Sequence, residues 1–369
     1  MPSPFKDLYT PAFIRQVAEQ VQALRPQTDP GQFAAEVQDA RWPSRELKDR
    51  IRHCAAVLER HLPAHFPEAA PLLLALSERL RSLRSSEYEL VYLFLPEYIE
   101  RCGLEHPEPA LDLMERITSL ASCEFAIRPF LMQHEALVLG RLAQWVLHPD
   151  AHVRRLASEG ARPRLPWGMA LPAFQRDPSR MLPLLAQLRA DPSEYVRRSV
   201  ANHLNDFSRS HPELILDLAR QWKGERPETD ALLKHACRTL LRQGHPEALA
   251  RFGVQHGAPA ALRAFRVETP EVRVPEYLIF SGEVLYSGDA PALLRLEYAL
   301  YFRRAGGGFS RKVFKLGERQ AAPGEVLPIA RRHSFRPVTT RTYCAGEQRV
   351  ALIINGTEQA PEAFTLLLA

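Results

Sequence analysis

The chain has 369 residues, with 48 basic and 43 acidic side chains for a formal charge of +5. Hydrophobic residues make up 46% and charged residues 25%, the composition of an ordinary globular protein with enough chain for two or three domains and a self-sufficient core. Collagen, a disulfide-stapled scaffold and long-range disorder are excluded on that basis, and no run of about 18 apolar residues reads as a membrane span.

Charges at Lys6, Asp7, Arg15 and Glu19 interrupt the opening segment, so no secretory signal is expected. The cysteines (Cys54, Cys102, Cys123, Cys237 and Cys344) are scattered, odd in number and lack CxxC spacing. They predict buried thiols in a reduced, cytoplasmic protein. His61 and His65 are separated by Pro63 and have no third ligand nearby, so no metal site is expected.

In chain order, the first long periodic segment is LKDRIRHCAAVLER, with Leu47, Ile51, Cys54, Ala55 and Leu58 at helical spacing. Leu72 to Leu83 and Ala110 to Leu120 read the same way. Prolines 107, 109, 149, 192, 212, 227 and 246 fall where helices would start or stop. A repeat runs through this part. HPDAHVRRLASEG (148–160) aligns with DPSEYVRRSVANH (191–203), pairing Pro149 with Pro192 and Val153-Arg154-Arg155 with Val196-Arg197-Arg198, 43 residues apart. Weaker echoes sit at Glu124–Phe130 and Leu233–Leu241. A period of about 40–47 with two helices per unit is that of HEAT repeats, which stack into a solenoid.

After about residue 265 the period becomes 2. In LLRLEYALYFRR (293–304), Leu294, Leu296, Tyr298, Leu300 and Phe302 share one face, which places Arg295, Glu297 and Arg303 on a solvated one. Segments 349–356 and 363–369 each read as one strand, and 277–288 as one or two. The expectation is a mainly α protein: a HEAT-like helical-repeat solenoid over 1–265, then a small all-β immunoglobulin-like sandwich of about seven strands over 266–369, with 266–275 as linker.

Charge is uneven in the second part. Between Tyr301 and Thr342 ten Lys and Arg face only Glu318 and Glu325, a local charge of +8, whereas the flanking segments are acidic. Such a band, with Gly306-Gly307-Gly308 as a flexible tip, has the form of a phosphate-facing surface. A solvated hairpin face has the same composition. In the helical part, Arg154, Arg155, Arg162, Arg164, Arg197 and Arg198 recur near the aligned helices, either as a phosphate-binding ridge or as cross-bracing between repeats.

The stretch VRRLASEGARPRLPW (153–167) and VRRSVANHLNDFSRSHP (196–212) resemble the alkylpurine DNA glycosylases of the HEAT-like-repeat superfamily, in the AlkC branch that carries an Ig-like tail. The similarity extends to LKDRIRHCAAVLERHLP (47–63), the Cys123-Glu124-Phe125 helix, and the tail segments FSRKVFKLGE (309–318) and RRHSFRPVTTRTY (331–343). It implies excision of N3-alkylated bases, such as 3-methyladenine and 3-methylcytosine, from double-stranded DNA by cleavage of the N-glycosidic bond. It also implies no metal or cofactor, no base flipping, no membrane association and a monomer. The positions matching the family's catalytic set are Glu124, Glu159 and Asp206, with Trp167 as the aromatic residue facing the damaged nucleotide. DNA contacts are expected from the six arginines above, and in the tail from Arg303, Arg304, Ser310, Lys312, Lys315, Arg331, His333 and Arg336, which would clamp the opposite side.

These residue types suit the chemistry. An N3-alkylated base is cationic and leaves readily, so positive charge develops on the deoxyribose. A fixed carboxylate stabilises that charge more in the transition state than in the ground state, and a second can deprotonate the attacking water. Asp206 is the expected base, Glu159 the sugar-facing group, and Glu124 an assistant. On residues alone, the ordinary readings come first: Glu159 in an ion pair with Arg155, Asp206 at a helix end, Glu124 as a satisfied buried carboxylate and Trp167 as a buried anchor; the catalytic roles rest on the resemblance. Two other functions stay open at this level: a non-catalytic HEAT-like adaptor whose basic tail docks an acidic protein, and an architectural DNA-binding protein.

Overall fold

The computed structural model describes residues 4–83, 89–338 and 341–368. Thr339, Thr340 and Ala369 of the tail segments, and the first three residues, lie outside these. The helices are α1 (Pro11–Leu24), α2 (Pro30–Val37), α3 (Leu47–His61), α4 (Phe66–Ser82), α5 (Phe94–Cys102), α6 (Pro107–Ile117), α7 (Ile127–Gln133), α8 (Glu135–Trp145), α9 (Ala151–Glu159), α10 (Pro172–Arg176), α11 (Leu182–Leu188), α12 (Glu194–Phe207), α13 (Pro212–Trp222), α14 (Pro227–Ala236), α15 (Arg238–Arg242) and α16 (Pro246–Arg251). None is long and apolar enough to cross a membrane. Packing divides the chain into two units, residues 1–210 with 224–236 and residues 211–223 with 237–369.

Proline punctuation sets many of the boundaries. Pro107, Pro212, Pro227 and Pro246 each occupy the first helical position, where the missing N–H has no intrahelical partner to lose and φ is already helical. Pro149 and Pro192 stand two residues ahead of α9 and α12. Asp150 then caps α9 by accepting from the His152 N–H at 2.8 Å. α4 departs from expectation by starting at Phe66, so Pro71 lies inside it. The missing hydrogen bond at Pro71 is offset by burial of Ala69, Ala70, Leu73 and Leu76 on one face. Within the first unit α9 packs on α12 and α12 on α14, with Val153, Leu156, Val196, Val200, Leu204 and Leu233 wholly buried. Cys54, Cys123 and Cys237 are buried, and Cys102 and Cys344 are half-buried free thiols.

The second unit contains nine strands among the described residues: β1 (Ala260–Val267), β2 (Glu271–Arg273), β3 (Tyr277–Tyr286), β4 (Ala292–Arg303), β5 (Phe309–Ala321), β6 (Val326–Ser334), β7 (Gly346–Ile354), β8 (Thr357–Glu358) and β9 (Glu362–Leu367). One sheet runs β1-β3-β6 and the other β2-β9-β7-β4-β5, with β8 on β7. Between them Leu278, Phe280, Tyr298, Leu300, Val350, Phe364 and Leu366 form the core. The expected linker 266–275 instead holds the end of β1 and the short β2, which pairs in parallel with β9.

β4 corrects a second expectation. Arg295 and Glu297 are on the face opposite Leu296 and Tyr298, yet both are buried. Arg295 Nη2 bonds Glu297 at 2.6 Å and Nη1 bonds Glu318 at 3.0 Å, beside buried Ala299, Ala351 and Ile353. Alternation identifies the two faces of a strand but not whether the second is covered. Asn355 helps cover it: its Oδ1 accepts the Arg295 N–H at 2.6 Å and its Nδ2 donates to the Gln255 carbonyl at 2.8 Å. Nearby, Gly244 approaches so closely that a Cβ there would lie 2.8 Å from the Gly356 carbonyl oxygen.

Candidate active site and nucleic-acid interface

The three candidate carboxylates lie in one continuous charged ladder. Glu124 is in the turn ahead of α7, not on a helix as expected from sequence. Glu159 closes α9, and Asp206 lies in the last turn of α12. Arg155, one turn before Glu159, bonds Glu124 Oε2 at 2.6 Å and reaches Glu159 Oε1 at 3.8 Å. Arg162, three residues beyond Glu159, bonds the same Oε1 at 2.6 Å and grips Asp206 through Nε and Nη2 at 3.0 and 3.2 Å. The order Glu124–Arg155–Glu159–Arg162–Asp206 therefore alternates in sign. Side chains of Glu159 and Arg162 are 7% exposed and that of Asp206 is 6% exposed.

Each carboxylate keeps acceptor capacity. Ser122 also donates to Glu124 Oε2, and both arginines converge on Glu159 Oε1. Glu124 Oε1 and Glu159 Oε2 thus take no bond from the described residues. Burial pushes the Asp206 carboxyl above its usual range, opposed by Arg162 and by a backbone hydrogen bond at Arg164. Beneath the ladder His203 is fully buried, its Nδ1 bonded to the Ser158 carbonyl at 2.9 Å. Burial drives its pKa down to about 3, so it is neutral.

Trp167 is 58% exposed and left-handed, with φ 67°. A non-glycine residue held there is strained and must be fixed by its surroundings. The Lys48 ammonium donates to the Trp167 carbonyl, and Gly168 N–H bonds Leu165 at 3.1 Å. A cavity of about 150 Å³ opens beside the indole, walled by Lys48, Glu97, Glu100, Phe125 and Met169.

Several cations expected to meet phosphates have their donors committed within the protein. Arg154 makes a bidentate pair with Asp191, at 2.6 and 3.0 Å, and bonds the His148 and Pro149 carbonyls. Arg155, beyond its carboxylates, lies over the Tyr195 ring at 4.8 Å, and Arg162 is spent on Glu159 and Asp206. Arg197 caps the Asp191 and Pro192 carbonyls at 2.6 and 3.0 Å. Arg154, Arg155 and Arg162 thus bond carboxylates 31 to 44 residues away, whereas Arg197 caps carbonyls just ahead of its own helix. Arg164 and Arg198 are exposed, the latter paired with Glu194 at 2.9 Å.

In the sandwich, six of the ten cations of the basic band lie on β5 (Arg311, Lys312, Lys315, Arg319) and β6 (Arg331, Arg332), each strand at one edge of its sheet. Arg303, Arg304, Lys312, Lys315, Arg331 and Arg336 are exposed and Ser310 half-buried. Lys315 pairs with Glu318 at 3.0 Å. His333 departs from the pattern: its Nδ1 bonds the Tyr298 hydroxyl at 2.8 Å, and burial beside Arg331 lowers its pKa to about 4, so it adds no positive charge at neutral pH. Charged edges also prevent strand-to-strand association.

Sequence reading missed Arg128 and Lys48. The signal for Arg128 was a lone cation inside the apolar run Ala126–Leu131; Lys48 carried none.

A helical-repeat unit bearing buried carboxylates and arginines beside an exposed indole, followed by an Ig-like sandwich, is the architecture of the HEAT-like-repeat DNA glycosylases with an Ig-like tail. Residues 261–368 match the family described as the C-terminal Ig-like domain of the uncharacterised protein YhaZ. The chain is 37% identical over 351 residues to the uncharacterised protein YhaZ of Bacillus subtilis strain 168, covering 95% of this chain and 96% of that one. It superposes with a TM-score of 0.91, at 32% identity and 99% coverage of both chains, on Pseudomonas fluorescens alkylpurine DNA glycosylase AlkC bound to DNA containing an abasic site analog. The chain belongs to this family, the AlkC branch of the HEAT-like-repeat alkylpurine DNA glycosylases with a C-terminal Ig-like domain.

Proposed function

We propose that the chain is a DNA glycosylase that releases cationic N3-alkylated bases, 3-methyladenine and 3-methylcytosine, from duplex DNA by hydrolysing the N-glycosidic bond. The reading places it at the start of base excision repair in the cytoplasm, acting as a monomer without base flipping. The observation that carries it is the ladder from Glu124 to Asp206 beside the exposed Trp167, in a chain superposing on AlkC over its whole length.

Glu159 is the sugar-facing stabiliser: Arg162 and Arg155 hold Oε1, leaving Oε2 for the developing oxocarbenium. Asp206 takes the proton of the attacking water. Arg162 binds both of its oxygens and the Arg164 backbone N–H takes a further lone pair, which leaves acceptor capacity for a water, and its raised pKa strengthens it as a base. Glu124 tunes Glu159 through their shared Arg155. The Trp167 indole packs on the nucleotide and excludes water. The cationic leaving group needs no strong acid, so carboxylates and water suffice. Arg164 and Arg198 from the helical unit, and the cationic edges of the sandwich, bind the phosphates.

The test is base release from duplex DNA carrying a single N3-methylated base, with a Glu159→Gln/Asp206→Asn variant in parallel. Release by the wild type that the variant loses supports the reading. Tight, salt-sensitive duplex binding without release overturns it in favour of an architectural role.

A further inference from the structure

Arg128 is the second residue of α7 and is wholly buried. Its Nε donates to the Met169 carbonyl at 2.7 Å and its Nη1 to the Gly160 carbonyl at 2.8 Å. Gly160 directly follows Glu159, and Met169 is two residues past Trp167. One guanidinium thus joins both ends of the segment between the end of α9 and the indole. Its stem fits against Gly168, where a Cβ would meet Arg128 Cδ and Nε at 3.2 Å. Two carbonyls held by one rigid planar fork is geometry that an ammonium cannot copy. Arg128 forms no ion pair with the described residues, and a buried cation without a direct counter-ion is costly. Its field nevertheless reaches Glu124, Glu159 and Asp206. Burial lowers its pKa to about 10, so it keeps its charge at neutral pH. With Arg155 and Arg162 it brings the cations of the cluster level with the three carboxylates.

We propose that Arg128 is a positioning residue of the excision site: it clamps Gly160 to Met169 so that the Trp167 indole stays aligned with Glu159, and its buried charge favours the charged form of the Asp206 carboxyl. The kinetic part rests on the glycosylase reading; the alignment part rests on geometry alone.

Two variants separate the roles. Arg128→Lys keeps the charge and loses the fork. The single-turnover excision rate is expected to fall about 10- to 100-fold, with the acid limb of the pH–rate profile in place and affinity for an abasic duplex unchanged. Arg128→Gln loses both, so the acid limb also moves to higher pH. The groups facing this field are Glu124, Arg155, Glu159, Arg162, Asp206 and neutral His203, and the limb is read for Asp206, the proposed base, whose carboxyl burial already raises. Rates near wild type in both variants, or rate and duplex affinity lost together with the limb unmoved, would overturn the inference.

A readout without catalysis comes from the indoles. Trp42, Trp145 and Trp222 are buried and Trp167 is exposed, so acrylamide quenching reports mainly on Trp167. Both variants are expected to change that quenching, and unchanged quenching refutes the clamp. Should the wild type release no base, the functional reading fails while quenching still decides the clamp. Should Arg128→Gln not fold, Arg128→Lys carries the test.

Discussion

Arg162 and Asp206, 44 residues apart in the chain, meet in a bidentate pair at 3.0 and 3.2 Å, while the remaining nitrogen of the same guanidinium holds Glu159 at 2.6 Å. One cation therefore sets the spacing between the two carboxylates to which the proposed reaction assigns separate roles. A planar fork does this better than any point charge, because each nitrogen has a fixed direction.

Removing that cation leaves buried Asp206 without an ion pair and Glu159 with only Arg155, at 3.8 Å. Arg162→Ala is expected to lower unfolding free energy by about 3–5 kcal/mol, read as the shift of the urea midpoint. Arg162→Lys retains one bond at most and is expected to fall between the alanine variant and the wild type. A loss under 1 kcal/mol would mean that solvent already screens the pair (about the limit for exposed pairs).

Trp167 predicts the opposite balance. Its indole is exposed, so Trp167→Ala is expected to change stability by about 1 kcal/mol or less. Excision is expected to drop by about tenfold or more as the nucleotide loses its alignment. Parallel urea unfolding and single-turnover assays check it, and equal losses in both would make the indole a fold anchor.

The pH behaviour has two signs. Burial raises the Asp206 pKa, so excision is expected to fall as pH drops through that raised value, and Asp206→Asn to lose this limb with the rate. For stability, the folded state keeps the Asp206 proton longer than the unfolded chain does. Asp206 therefore favours folding below its usual 3.8 and opposes it as pH rises through the folded pKa. His203 acts in the other direction. Its pKa falls from 6.5 to about 3, so the stability present above 6.5 is lost as pH falls toward 3. Between pH 7.5 and 5.5 the wild type is expected to lose about 1 kcal/mol more than His203→Gln in urea unfolding.

The charged edges of the sandwich give a test by salt. Lys312 on β5 and Arg331 on β6 are exposed, and Lys312→Glu/Arg331→Glu is expected to weaken duplex affinity. The slope of log affinity against log salt should shrink by about 0.9 for each phosphate that is no longer neutralised. An unchanged slope would assign the cations to edge protection alone.

Periodicity made much of this protein legible from its residues. Leu47 to Leu58 announced α3, the 43-residue offset between Val153-Arg154-Arg155 and Val196-Arg197-Arg198 aligned α9 with α12, and the alternation from Leu294 to Phe302 marked β4. These are local properties, since helix and strand periods are written into neighbouring side chains. Charge was different. The sequence showed that Arg154, Arg155 and Arg162 were present, but their partners Asp191, Glu124 and Asp206 lie 31 to 44 positions away, and only the stacking of repeats brings them within 3 Å. Arg295 and Glu297 read as a solvated face until the opposite side of β4 proved to be covered. Arg128 looked like an isolated cation, and its acceptors are backbone carbonyls that no side-chain pattern reveals. The sequence by itself determined the long periodic helices and strands, though not the strand segments within 266–275 or the turn at Glu124, and which charges were available. The tertiary structure decided which of those charges brace the fold and which remain exposed, because a Coulomb partner is set by distance in space and by exclusion of water.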